Sequence, residues 1–243
     1  MRFLLILLFF TLVARAQKDS AITIPMLGVH FGAQLPFGDM ANRFGNSFTA
    51  GGSFMVKTNK NWLLGLEASY LFGGQVKENV LEQLTNPDGF VTDNEGYPAN
   101  LRITQRGLIL GLNFGKVIPI FKSNANSGLM ITLGGGYLQH KVHIYDASQR
   151  VASIGGDLIK GYDRLTSGFS LSQFVGYMHM GRKRMSNFYA GFEFYEAFTQ
   201  SVRKLNYSSG LPDTGKRTDV LMGFRLGWIL PLYKKAPDDF YIY

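Results

Sequence analysis

Eight separate stretches of this chain alternate, residue by residue, between large apolar side chains and small or polar ones. They run roughly over Ile24–Leu35, Ser47–Lys57, Trp62–Gly73, Leu101–Gly115, Gly128–His140, Arg164–Met180, Phe188–Thr199 and Asp219–Leu232. A period of two marks β-strands, whose successive side chains leave opposite faces. In the last stretch Val220, Met222, Phe224, Leu226, Trp228, Leu230 and Leu232 share one face. Asp219, Leu221, Gly223, Arg225, Gly227, Ile229 and Pro231 share the other. In the seventh, Phe188, Ala190, Phe192, Phe194 and Phe198 oppose Tyr189, Gly191, Glu193, Tyr195 and Ala197.

A soluble sandwich also alternates, but its solvent face is rich in Lys and Glu. Here that face holds Gly, Ser, Thr, Tyr and single charges. Only 17% of the residues are charged, against about 25% for a soluble domain. The 29 Gly, 20 Phe and 12 Tyr suit a narrow barrel interior with large apolar residues turned toward lipid. The spacing agrees. Connections one, three, five and seven span about 11, 27, 23 and 19 residues, whereas two, four and six span about 4, 12 and 7. Long loops alternating with short turns are the habit of outer-membrane barrels, with both termini periplasmic. Eight strands also close the sheet and remove the edges that lipid cannot satisfy. The expected fold is all-β: a closed antiparallel eight-stranded transmembrane barrel.

Two stretches depart from the pattern. In the sixth, Gln173 shares a face with Leu165, Phe169, Leu171, Val175 and Tyr177, while Phe174 falls among small inward residues. A bulge near Gln173, or tolerance of one glutamine, would account for this. In the fourth, Arg102, Thr104 and Arg106 share the parity of Leu108 to Phe114, so the strand is expected to leave the membrane near Arg106.

Residues 1–16 read as a cleaved signal peptide: Arg2, an apolar run from Phe3 to Val13, then Ala14-Arg15-Ala16. A spanning helix would need about 20 apolar residues. The barrel is placed at 17–233, followed by a short periplasmic tail, 234–243. The absence of cysteine excludes a disulfide scaffold, a thiolate metal site and a cysteine nucleophile. The net charge of +8 invites a nucleic-acid reading, which secretion to a membrane opposes.

No nucleophile elbow, zinc-protease helix motif, phosphate loop or dinucleotide fingerprint occurs. His140 and His143 fall on opposite faces of a strand and cannot share a metal, and no His-x-Ser pair of the lipid-A-deacylase kind is present. No cofactor is expected. His30, Glu67, Glu193 and Arg225 point inward by parity, and a final hairpin centred near 209 would set Glu193 opposite Arg225. Such a pair plugs a narrow lumen, or else lines a proton or ion path.

Basic residues gather near strand ends. On the outer side are Arg102, Arg106, Lys160, Arg164, Arg203, Lys204, Lys216 and Arg217. At that height they would meet lipopolysaccharide phosphates or serve solubility. On the periplasmic side Arg182, Lys183, Arg184, Lys234 and Lys235 form a candidate partner patch. Glu82 to Asn100, with an Asn86-Pro87-Asp88-Gly89 turn and a helical turn within Val80 to Leu84, is the largest candidate recognition loop.

The strings Gly168-Phe-Ser-Leu-Ser-Gln-Phe-Val-Gly-Tyr177, Asn187-Phe-Tyr-Ala-Gly-Phe-Glu-Phe-Tyr-Glu-Ala-Phe198 and Gly227-Trp-Ile-Leu-Pro-Leu-Tyr-Lys-Lys235, with the tail Asp239-Phe-Tyr-Ile-Tyr243, resemble small outer-membrane barrels of the Bacteroidota. The resemblance implies an OmpA- or OmpX-like barrel without a peptidoglycan-binding domain. It also implies a non-enzymatic protein, with relatives among subunits of outer-membrane insertion or type IX secretion machinery. The leading expectation is a structural or accessory subunit of an outer-membrane complex. The alternatives are a free-standing barrel whose loops bind a ligand or surface, a narrow pore, and an enzyme acting on lipid.

Overall fold

The computed structural model describes residues 21–120, 124–181, 185–203 and 205–232. The expected signal peptide, 1–16, and the tail, 234–243, lie outside the described residues. Eight strands run β1 (Ile24–Gly38), β2 (Ser47–Lys57), β3 (Trp62–Gly73), β4 (Leu101–Ile118), β5 (Gly128–Asp146), β6 (Thr166–Met180), β7 (Asn187–Ser201) and β8 (Lys216–Pro231). Each pairs antiparallel with its sequence neighbour, and β1 pairs with β8 to close the barrel. Among the described residues no helix is long and apolar enough to cross a membrane.

Alternation sets the two faces. Outward side chains such as Leu64, Leu66, Leu112, Leu133, Phe192 and Leu226 are more than half exposed. In water so much apolar surface would drive aggregation; in hydrocarbon it is solvated, so this is a membrane-spanning barrel. Aromatic rings brace the edges of the belt. Near the short turns Trp62 stacks on Phe114 at 5.0 Å, with Lys116 lying 4.8 Å over the Trp62 ring. Toward the long loops Phe31, Phe48 and Phe72 form a chain of ring contacts.

The interior holds more than small and polar groups. At the short-turn end Ile24, Met26, Met55, Leu63, Met130, Phe174, Met178 and Ile229 form an apolar layer. Methionine fits such an irregular lumen because its side chain adapts. Glycine is spent where rings need room. A Cβ at Gly227 would lie 2.3 Å from the Tyr189 ring, which covers it from the paired strand. No bulge forms at Gln173: the β5–β6 and β6–β7 registers run unbroken through it. Gln173 faces outward, and Phe174 turns inward to meet Tyr189 edge-on at 5.5 Å.

Connections 39–46, 74–100, 147–165 and 202–215 gather at one end of the barrel. They carry a short helix, α1 (Met40–Arg43), and 3-10 turns at Glu82–Leu84, Ala152–Ile154 and Gly156–Gly161. The Asn86 side chain accepts from the Asp88 and Phe90 amides, and Gly89 takes the positive φ of 89° that closes this turn. Met40, Phe44, Val80, Leu81, Val151, Ile154 and Tyr162 from these segments pack on Leu71, Ile109, Leu138, Ala197 and Leu221 from the strands. The long connections thus form a cap whose core continues into the lumen.

Candidate functional site

Between the two apolar layers lies a polar one, built from inward positions of five strands. Arg225 on β8 is its hub. Its Nη1 donates to Glu67 Oε2 at 2.9 Å, its Nε lies 2.5 Å from Glu193 Oε2, and its Nη2 donates to the Tyr195 hydroxyl. Tyr195 in turn donates to Glu67 Oε1 at 2.8 Å. Gln34 donates to Glu193 Oε1 and to Thr49 Oγ1, and His30 Nε2 shares a hydrogen bond with Ser69 Oγ at 2.7 Å.

His30, Glu67, Glu193 and Arg225 are therefore all buried in the lumen; the last three share one network, and His30 pairs beside it with Ser69. The expected register needs correction. Arg225 stands opposite Gly191, and Glu193 opposite Gly223. The hairpin is centred one residue earlier than 209, so Glu193 and Arg225 are diagonal neighbours. The diagonal leaves Arg225 free to reach across to Glu67 as well, so one cation serves two carboxylates. Tyr195 and Gln34 complete the network, and only the closed ring reveals them, since both come from strands not adjacent to all their partners.

Nearer the cap, His140 Nε2 hydrogen-bonds Asp219 Oδ2 at 2.9 Å, and Thr199 donates to the same oxygen at 2.5 Å. The trio has the residue types of a relay, but His140 and Asp219 are almost wholly buried, so no substrate reaches them. Beside the network a cavity of about 30 Å³ remains, room for a water or two.

The cap is cross-braced by charge. Arg43 meets Glu78 at 3.0 Å and donates to Thr166 Oγ1 at 2.9 Å. Arg164 also binds Glu78, at 2.6 Å, and donates to Asn206 and Ser208. Arg203 grips Asp163 through two nitrogens, and Arg217 donates from its Nη2 to both carboxylate oxygens of Asp213. The Asp163 carboxylate holds the Arg203 guanidinium above its usual pKa range. These contacts tie all four long connections together.

That geometry divides the basic residues of this end. Arg164, Arg203 and Arg217 are occupied inside the cap, and Lys160 pairs with Asp157 at 2.5 Å. Arg102, Arg106 and Lys216 have no ion-pair partner among the described residues. Arg102 and Arg106 face outward on β4, beside Tyr145 and Lys141 on β5. With His143 and Phe72 they border an external groove of about 530 Å³. Lys204, Arg182, Lys183, Arg184, Lys234 and Lys235 lie outside the described residues.

No family profile matches the chain, and no curated protein matches it. Among solved structures it is similar to Ail, the attachment invasion locus protein of Yersinia pestis, in complex with the heparin analogue sucrose octasulfate. The identity is 11%, over 86% of this chain and 99% of that one, with a TM-score of 0.41. It is also similar to the outer-membrane protein OprG from Pseudomonas aeruginosa, at 13% identity over 89% of this chain and 99% of that one, with a TM-score of 0.39.

Proposed function

We propose that the protein is a non-enzymatic outer-membrane barrel acting as a structural or accessory subunit of an outer-membrane complex, of the insertion or secretion kind. Both termini are then periplasmic, the cap faces outward, and the kinship with Bacteroidota barrels rests on the sequence resemblance. The observation that carries the reading is the filled lumen. A charged layer braced by Arg225 lies between two apolar layers, and the cap core closes one end. Eight strands leave space for side chains and little else. Among the described residues the inward carboxylates Glu67, Glu193 and Asp219 and the imidazoles of His30 and His140 are buried, so the surfaces are what remain to act.

One surface faces the outer leaflet. Arg102, Arg106 and Lys141 are unpaired cations beside the external groove, and lipopolysaccharide phosphates are their natural counter-ions. Replacing all three by serine is expected to lower the lipopolysaccharide carried per purified barrel several-fold, measured by phosphate assay. Purification in mild detergent followed by mass spectrometry tests the subunit reading: a stoichiometric membrane partner is expected. A monomer whose phenotypes arise only from changes in the cap would favour the second reading, a free-standing barrel binding an external ligand. That reading draws support from the ordered joining of 74–100 to 147–165, where Arg150 pairs with Glu95 at 2.8 Å and its carbonyl accepts from the Asn94 amide.

A further inference from the structure

The lipid belt contains one polar interruption. Along β6 the outward residues are Phe169, Leu171, Gln173, Val175 and Tyr177; along β7 they are Phe188, Ala190, Phe192, Phe194, Glu196 and Phe198. Gln173 and Glu196 are the two polar side chains that the described outward positions place between the aromatic edges of the belt. They sit side by side. Gln173 stands opposite Phe194, and Glu196, one outward position further up, stands opposite Leu171. Around them are Leu133 and Gly135 on β5 and Val220 on β8. Neither side chain has a hydrogen-bond or ion-pair partner among the described residues.

Their depth can be read from the ladder. Tyr137, Phe169 and Phe198 are register partners and form the upper edge, because the next outward set is Gln139, Ser167, Gln200 and Lys216. A tilted strand climbs about 2.5 Å per residue. Glu196 therefore lies about 5 Å below that edge, and Gln173 about 10 Å below it and about 15 Å above the level of Phe188. A headgroup explains Glu196 alone, by snorkelling upward. It does not reach Gln173. An unpaired amide and carboxyl in hydrocarbon are costly and mark intramembrane contact sites.

We infer that the outward face of β6 and β7 around Gln173 and Glu196 is a lateral docking surface for a different membrane-spanning protein, one that presents an arginine or lysine at this depth. The inference rests on the accessory-subunit reading and names its interface. A second copy of this chain lacks the required group at this depth, since its described outward cations, among them Arg106, Lys116, Lys141 and Lys216, lie at or beyond the belt's edges. Gln173 adds a second acceptor and a donor deeper in the belt, which fixes the partner's height.

The test is photo-crosslinking in intact cells from benzoylphenylalanine at Leu171, between the two polar residues, with Leu66 on the far side of the barrel as control. A discrete protein adduct is expected at 171 and not at 66, and at least ten-fold less of it when Gln173→Leu and Glu196→Leu are combined. That double variant must still show the gel shift of a folded barrel. The crosslinked partner must span the membrane, and neutralising its arginine or lysine must likewise abolish the adduct. Glu196→Lys combined with the reverse change in the partner must restore it. An adduct with lipid only, or with a second copy of this chain, overturns the inference. So does a native complex that persists without any adduct at 171, which leaves the subunit reading standing. A monomer throughout overturns both.

Discussion

At the scale of single residues, the lumen network decides what a substitution costs. Removing one partner of a buried ion pair leaves the other charge stranded, at about 3–5 kcal/mol. Arg225→Met strands two carboxylates, Glu67 and Glu193. It is expected to lower the unfolding temperature on heated gels more than Glu193→Gln does. Adding Glu193→Gln to Arg225→Met should recover only part of the loss, and adding Glu67→Gln as well should recover most of it. Full recovery without the Glu67 change would show that Glu67 does not bear on Arg225. Parity alone places all three side chains inside, so their burial was legible in the sequence. Their partnership was not, because Glu67 lies on β3 and reaches Arg225 across the lumen rather than along a hairpin. Glu196 was obscured differently: its neighbours Phe194 and Phe198 make the stretch read as apolar although its parity is outward.

At the scale of elements, the strands were the most legible part, since a period of two over a dozen residues leaves little choice of structure. The ends were less so. β5 continues to Asp146, beyond the expected stop at His140, because it goes on pairing with β4 above the belt, where outward positions turn to Arg102, Arg106, Lys141 and His143. The cap was legible only as loop length. Its core depends on Val80, Leu81, Val151, Ile154 and Tyr162 meeting from different connections, and no local spacing announces that. The cap is expected to open separately from the barrel, since local units unfold at less than the global free energy. Leu81→Ala removes a side chain only 3% exposed. A loss of about 2 kcal/mol or more would raise the open population about thirty-fold. Cleavage within 82–100 by a broad-specificity protease should accelerate accordingly, with the barrel's gel shift unchanged. Equal cleavage rates in the two proteins would mean that this segment does not depend on the cap core.

For the whole molecule the remaining variable is direction. The cap, with long ordered connections and cross-bracing arginines, gathers at one end, and the 58–61 turn lies at the other. If the cap is external, a secreted chain enters the membrane from the periplasm with its short turns trailing and its long connections crossing the bilayer during insertion. The absence of native cysteine makes this measurable with single substitutions. Asp88 is exposed within the turn closed by Gly89, and Lys60 is exposed in the 58–61 turn. A membrane-impermeant maleimide added to intact cells should label Asp88→Cys and leave Lys60→Cys untouched until the outer membrane is permeabilised. The inverse pattern would turn the barrel over. It would carry Arg102, Arg106 and Lys141 to the periplasmic leaflet and remove lipopolysaccharide as their partner. The filled lumen is indifferent to that choice. Planar bilayers containing the protein should show no steady conductance in either orientation, whereas Arg225→Ala with Glu67→Ala, which empties the hub of the polar layer, is the change expected to admit water and a measurable current.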